Sequence, residues 1–179
     1  MGPLFRVVLI LALAGTTAGC FQPLYGTQTT TGGPAVSTAL NAVDVEQIDA
    51  TTGTDDARIG VELRNDLLFA LQGGSGGGSP THSLKIRLIP SRYTTSVDLQ
   101  TGRSSTDVYN LTATYQLTDL RTGRVVLAAS AVAPVSFDTP GEQQRFARSR
   151  GLRDAENRAA QQIAENIRSR LTSFFVAGS

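Results

Sequence analysis

Between Tyr109 and Thr118 the chain alternates without a slip. Tyr109, Leu111, Ala113, Tyr115 and Leu117 hold every second position, and Asn110, Thr112, Thr114, Gln116 and Thr118 fill the places between. Successive side chains of a strand point to opposite faces, so one face of this stretch is apolar and demands a core. The other face carries polar groups but no charge, in a chain in which 17% of residues are charged. Thr, Asn and Gln hydrogen-bond without the desolvation cost of an ion, so such a face suits open solvent or a wet cavity in a partner protein. Any fold for this chain must cover one side of a sheet and leave the other accessible. Thr112, Thr114 and Gln116 are the candidate contact residues on that second side.

Two near-copies of a turn flank this strand, Asp98-Leu99-Gln100-Thr101-Gly102-Arg103 and Asp119-Leu120-Arg121-Thr122-Gly123-Arg124. A glycine at a fixed offset after Asp is hairpin chemistry, so the spacing predicts two successive turns of a meander. Upstream, Leu84, Ile86 and Leu88 alternate with Lys85 and Arg87 in a strand that can run past Pro90 through Tyr93 to Val97. Proline donates no ladder hydrogen bond, so Pro90 must interrupt the pairing or sit at an edge. Downstream, Val125 to Val132 is almost continuously apolar. That composition predicts a central strand, covered by helices on one face and partly covered on the other, with Pro134 marking its end.

Asn41 to Ile48 alternates Val43 and Val45 with Asp44 and Glu46, which predicts a short first strand. In the segment after it, Ile59, Leu63, Leu67 and Leu71 recur one helical turn apart with Leu68 beside them, and Asp55 and Asp56 lie where a helix dipole favours negative charge. Thr54 is placed to cap that helix. The glycine-rich run from Gly73 to Pro80 ends it as a flexible loop. Gly73-Gly74-Ser75-Gly76-Gly77 matches the letters of a nucleophile elbow, but that device needs a strand before it and a helix after it, the reverse of this context. From Glu142 to Phe175 a long helix is expected, with Gly151 as its possible break point and Ala155, Ala159, Ile163, Ile167, Leu171 and Phe174 along one stripe. Arg170 falls inside the apolar arc and must snorkel. The order β-α-β-β-β-α predicts an α+β fold: a two-layer sandwich of a mostly antiparallel four-stranded sheet with two helices.

The N-terminal end decides where such a domain works. Arg6 precedes an apolar stretch, Val7 to Ala14, and small residues lead to Cys20, the only cysteine of the chain. The stretch is less than half of the ~20 apolar residues that a crossing helix needs, so it reads as a cleaved export signal. Thr17-Ala18-Gly19-Cys20 is similar to a bacterial lipobox, in which the cysteine thiol receives a diacylglyceryl group before cleavage. Thr17 stands where leucine is usual, and Phe21 lacks the aspartate that retains such proteins at the inner membrane. The expected organisation is a signal peptide at 1–19, a lipidated N-terminus and tether at 20–40 and one domain at 41–176. From Cys20 to Pro80 there are 2 basic and 7 acidic residues, and from Thr81 to Ser179 there are 13 and 8. The mature chain is thus formally neutral, which argues against a nucleic-acid binder, and an anionic partner should meet its second half. One histidine, His82, and no His/Glu metal spacing leave no catalytic or metal-binding constellation.

Several short motifs occur in one order: Gly19-Cys20-Phe21 with Pro23-Leu24-Tyr25-Gly26, then Phe137-Asp138-Thr139-Pro140, then Arg158-Ala159-Ala160-Gln161-Gln162-Ile163 with Arg168. On these the chain resembles the LPS-assembly lipoprotein family (LptE, also called RlpB), in particular its alphaproteobacterial members. The resemblance implies a non-enzymatic protein, lipid-anchored at the periplasmic face of the outer membrane. Such a protein plugs and helps assemble the β-barrel LptD and binds lipopolysaccharide on its way to the cell surface. Its only expected adduct is the covalent lipid on Cys20. The family's basic lipopolysaccharide contacts lie in loops at one end of the sheet, and only Arg103 stands at a corresponding place. Val126 to Val132 offers no counterpart to the basic residue of the strand before the long helix. Arg121 and Arg124, in the second basic turn, complete the candidate anion-binding set with Arg103. An auxiliary lipoprotein of an ABC-type lipid transport system is the alternative.

Overall fold

The computed structural model describes residues 36–48, 55–73, 78–97, 99–100, 104–139 and 145–177. Its elements are a short helix α1 (Val36–Asn41), β1 (Val43–Val45), α2 (Asp55–Gln72), β2 (His82–Val97), β3 (Ser104–Asp119), β4 (Arg124–Asp138) and α3 (Arg145–Val176). The sheet order is β1-β2-β3-β4. The fold is the expected α+β sandwich with a four-stranded sheet. The sheet is mixed, however: β1 pairs parallel to β2, because α2 carries the chain back between them, while β2/β3 and β3/β4 are antiparallel.

The core follows the alternation. Leu111, Ala113 and Leu117 are fully buried and Tyr109 and Tyr115 nearly so, joined from neighbouring strands by Leu84, Ile86, Ala133, Val135 and Phe137. α2 contributes Ile59, Leu63, Leu67 and Leu71, and α3 contributes Ala155, Ala159, Ala160, Ile163, Ala164, Ile167 and Leu171. α3 lies across β3 and β4, while α2 packs beside it and next to β1 and β2. The alanines let α3 approach the sheet closely. Two side-chain bonds fasten α2 to the short first strand: Arg64 Nε donates to the Val45 carbonyl at 3.0 Å and Gln72 Nε2 to that of Val43 at 3.4 Å. Gly73 closes α2 at φ 62°, its N–H donating to the Phe69 carbonyl at 2.8 Å.

Four expectations need correction. β4 is the edge of the sheet and not a central strand, and Val125 and Val132 are about half exposed. Pro134 does not end β4, which continues to Asp138 with Pro134 opposite Asn110. An edge strand tolerates proline because its missing N–H can face away from the ladder. α3 is unbroken at Gly151; there the helix passes so close to the end of β4 that a methyl group on Gly151 would stand 3.5 Å from the Asp138 carbonyl oxygen. Finally, the packed domain reaches back to Val36, since Val36 and Leu40 of α1 are buried in the core although they lie in the stretch expected as tether.

Pro90 fits its expected setting. β1 pairs with β2 only at His82, Ser83 and Leu84, so among the described residues β2 has a neighbour beyond Leu84 on the β3 side alone. Cys20, Thr54 and residues 74–77 of the glycine-rich run lie outside the described residues.

Candidate interaction face

Both long helices lie on one side of the sheet, and the pleat sends the alternate side chains of β2, β3 and β4 to the other. Register sets them in rows: Lys85 beside Gln116 and Ala128, Arg87 beside Thr114 and Ser130, Ile89 beside Thr112 and Val132. All of these side chains are exposed except Thr112, which is half-buried between Ile89 and Val132. Lys85, Gln116 and Ala128 of the first row and Arg87 and Thr114 of the second line a shallow concavity of about 770 Å³.

The chemistry grades across this surface. Two cations stand together on β2, hydroxyl and amide groups occupy the centre, and aliphatic Ile89 and Val132 form the far row. A guanidinium and an ammonium on adjacent outward positions of one strand can meet an anionic group, and the neutral centre can be desolvated against a partner without stranding a charge. Thr112, Thr114 and Gln116 are thus brought together as the spacing predicted. Lys85 and Arg87 complete the face and were not candidates. Their alternation is legible in the sequence, but their place beside Thr114 and Gln116 depends on the β2/β3 register.

The basic turns are not brought together. The β3–β4 turn is built on Asp119, whose carboxylate accepts the backbone N–H of Arg121 at 2.7 Å and of Thr122 at 3.1 Å, with Gly123 at φ 68°. Slight desolvation at the strand end pushes the Asp119 pKa up. Those two N–H groups, with the charges of Arg121 and His82, outweigh it and hold the carboxyl below its ordinary range. Arg121 Nη2 lies 3.8 Å from Asp119, and its side chain is otherwise in solvent, as is Arg124. Arg103 lies outside the described residues. The strands that lead to it, however, reach Val97 and Ser104 at the opposite end of the sheet from Asp119. A strand of 16 residues is roughly 50 Å long, so a phosphate group held at Arg121 and Arg124 is far from Val97 and Ser104.

His82 opens β2 opposite Asp119, its ring edge-on to Phe175 with centroids 5.2 Å apart and its Nδ1 2.8 Å from the Thr81 hydroxyl. It is a packed residue at a strand entry, and burial lowers its pKa against the raising effect of Asp119. Among the described residues no group of His, Cys, Asp and Glu is placed to hold a metal ion, and no helix is long and apolar enough to cross a membrane.

Comparison with known proteins agrees with this architecture. The family model described as LptE, lipopolysaccharide-assembly, matches residues 40–171. A protein from Caulobacter crescentus CB15 described as a lipoprotein has a similar structure, with TM-score 0.59 and 22% identity over 80% of this chain and 97% of that one. The minor lipoprotein from Acinetobacter baumannii follows at TM-score 0.54 and 16% identity, covering 74% of this chain and 91% of its own. The rare lipoprotein B from Shewanella oneidensis stands at TM-score 0.52 and 13% identity, covering 75% and 96%. At these identities the likeness is one of fold. No curated protein matches the sequence.

Proposed function

This chain belongs to the LptE family of lipopolysaccharide assembly, and from that premise we propose that it is a non-enzymatic plug, lipid-anchored through Cys20 at the periplasmic face of the outer membrane. Its open sheet face docks against the lumen of the barrel LptD, and the assembled pair passes lipopolysaccharide to the cell surface. The observation that carries this reading is the uncharged centre of the face, with Thr114 and Gln116 exposed and Thr112 half-buried, on a sheet whose other side packs against helices. A surface kept free of charge but rich in hydrogen-bonding groups can be buried in a wet interface at little cost. Lys85 and Arg87 at its margin, and the basic turn of Arg121 and Arg124, offer guanidinium and ammonium groups to the phosphates of the transported glycolipid. The same role falls to Arg103. Cys20 supplies the anchor: each buried CH₂ contributes about 0.8 kcal/mol, so two or more acyl chains hold a domain of this size on a bilayer.

The test is Thr114→Glu. An ion buried without a partner costs several kcal/mol, whereas on an open strand the change costs within about 0.5 kcal/mol. The variant should fold normally, come down with the barrel in reduced yield from detergent-solubilised outer membrane, and admit large antibiotics to the cell. Normal yield would show that the open face is merely solvated. In the same preparation Cys20→Ser should leave the membrane fraction.

A further inference from the structure

The sheet ends on an unprotected strand. β4 is its last strand, and among the described residues nothing pairs with its outer edge. From Val125 to Phe137 it carries no charged side chain, and charges are the usual device that keeps one exposed edge from pairing with another. The edge is also incompletely covered on the helix side. Val126, Leu127 and Ala129 are only partly buried, and a concavity of about 500 Å³ lined by Tyr115, Ala129, Ala131, Asn166 and Arg170 runs between β4 and α3.

We propose that the edge is completed by a second copy of the chain, β4 against β4, antiparallel about Ala131. Three features select this occupant. The first is charge: Arg124 opens the strand and Asp138 closes it, so antiparallel alignment brings each Arg124 toward the Asp138 of the other copy, while parallel alignment sets like beside like. The second is volume. On the inner face an incoming β4 presents Ala129, Ala131 and Ala133, side chains small enough for the space beside α3. The third is backbone direction. Pro134 fits the β3/β4 ladder with its nitrogen turned to the open side, and the register runs without a shift from Leu127 to Asp138. Ser130 and Val132 therefore turn their N–H and C=O groups outward with it, and the two-fold through Ala131 sets Ser130 of each copy opposite Val132 of the other. The result is one sheet of eight strands whose open face is continuous across both copies. The inference stands apart from docking to a barrel, since it concerns the free lipoprotein.

The experiment is sedimentation velocity on the mature chain from residue 20 carrying Cys20→Ser, over a wide concentration range. A reversible dimer is expected. Arg124→Asp should weaken it by about tenfold, since it places like charges together at both ends of the paired strands, and adding Asp138→Arg should restore it. Val132→Pro should abolish it by removing an outward donor, with circular dichroism confirming the native sheet. A monomer at every concentration would overturn the proposal, the edge then being covered by this chain's own residues or awaiting another partner. So would a dimer that ignores the charge swap and Val132→Pro. Neither result bears on co-purification with the barrel, which tests the docking reading separately.

Discussion

Glu156 of α3 is ion-paired with Arg58 of α2, and its side chain is 5% exposed against 34% for the arginine. Arg58 also donates from Nη1 to Asn157 Oδ1 at 2.9 Å, so a single guanidinium ties the two long helices together. Burial pushes the Glu156 carboxyl above its ordinary range, and Arg58 opposes that shift. Removing the arginine leaves an acid that is costly while ionised. Arg58→Met should lose about 2 kcal/mol at pH 7, discounting for the solvent that reaches the pair. A carboxyl whose folded pKa lies above its unfolded one gains stability as pH falls through the folded value, because the folded state takes up the proton first. The loss should therefore shrink toward pH 5 in urea unfolding. An equal loss at both pH values would mean that the ionised Glu156 is not its cause.

Tyr109 raises a related question within the same layer. Its hydroxyl is buried with no hydrogen-bond partner among the described residues, and burial, with the nearby Glu156 charge second, drives its pKa far up. Tyr109→Phe keeps the ring and removes the unsatisfied oxygen, so stability should rise by about 1 kcal/mol. A loss on thermal melting would show that the hydroxyl has a partner.

At Gly151 the passage of α3 over Asp138 leaves room for one carbon. A Cβ there meets the Asp138 carbonyl oxygen at 3.5 Å and the Phe137 ring at 3.6 Å, ordinary contacts both. Gly151→Ala should stabilise the helix by about 0.5–1 kcal/mol. Gly151→Ile should gain less than the alanine variant, since a β-branched side chain loses χ1 freedom in a helix and adds bulk beside the Asp138 carbonyl. Chemical denaturation of both variants decides the matter.

The two basic turns should behave as independent sites. Val97 and Ser104 stand at one end of the sheet and Arg121 and Arg124 at the other, so losses in binding lipopolysaccharide should add within about 0.5 kcal/mol when Arg103→Ala is combined with the double substitution in the second turn. Each loss should shrink with salt. Strong non-additivity in titrations at low ionic strength would require the turns to share a ligand group.

Where side-chain period decides structure, the sequence was legible. The stripe of α2 and the alternation of β3 point where they were expected to point, because a misplaced register would expose Leu63 or Leu111 to water. Neighbourhood was less legible. Val125 to Val132 looks like a strand with partners on both sides, yet its apolar character reflects an uncovered edge and a half-covered inner face. Pro134 misled for the same reason, since it excludes an interior strand but not an edge. The candidate face was read in part. Thr112, Thr114 and Gln116 lie on one strand and are visible as a pattern, whereas Lys85 and Arg87 join them only through cross-strand register. The two turns look alike as sequence, and only the meander's reversal of direction at each hairpin sets Val97 and Ser104 at the opposite end of the sheet from Arg121 and Arg124.

The position of α3 in the chain governs the order in which this domain can mature. Its strands β2, β3 and β4 are joined by two hairpins, so their pairing closes short loops and can form early and quickly. The cover for Leu111, Ala113, Ala133 and Val135 comes from Ala155 to Leu171, which follow all the strands in the chain. Until they pack, the meander presents a full apolar face to its surroundings. A chain whose strands have paired before α3 folds onto them is a sticky sheet rather than a nearly finished protein, and would depend on a holding chaperone during that interval.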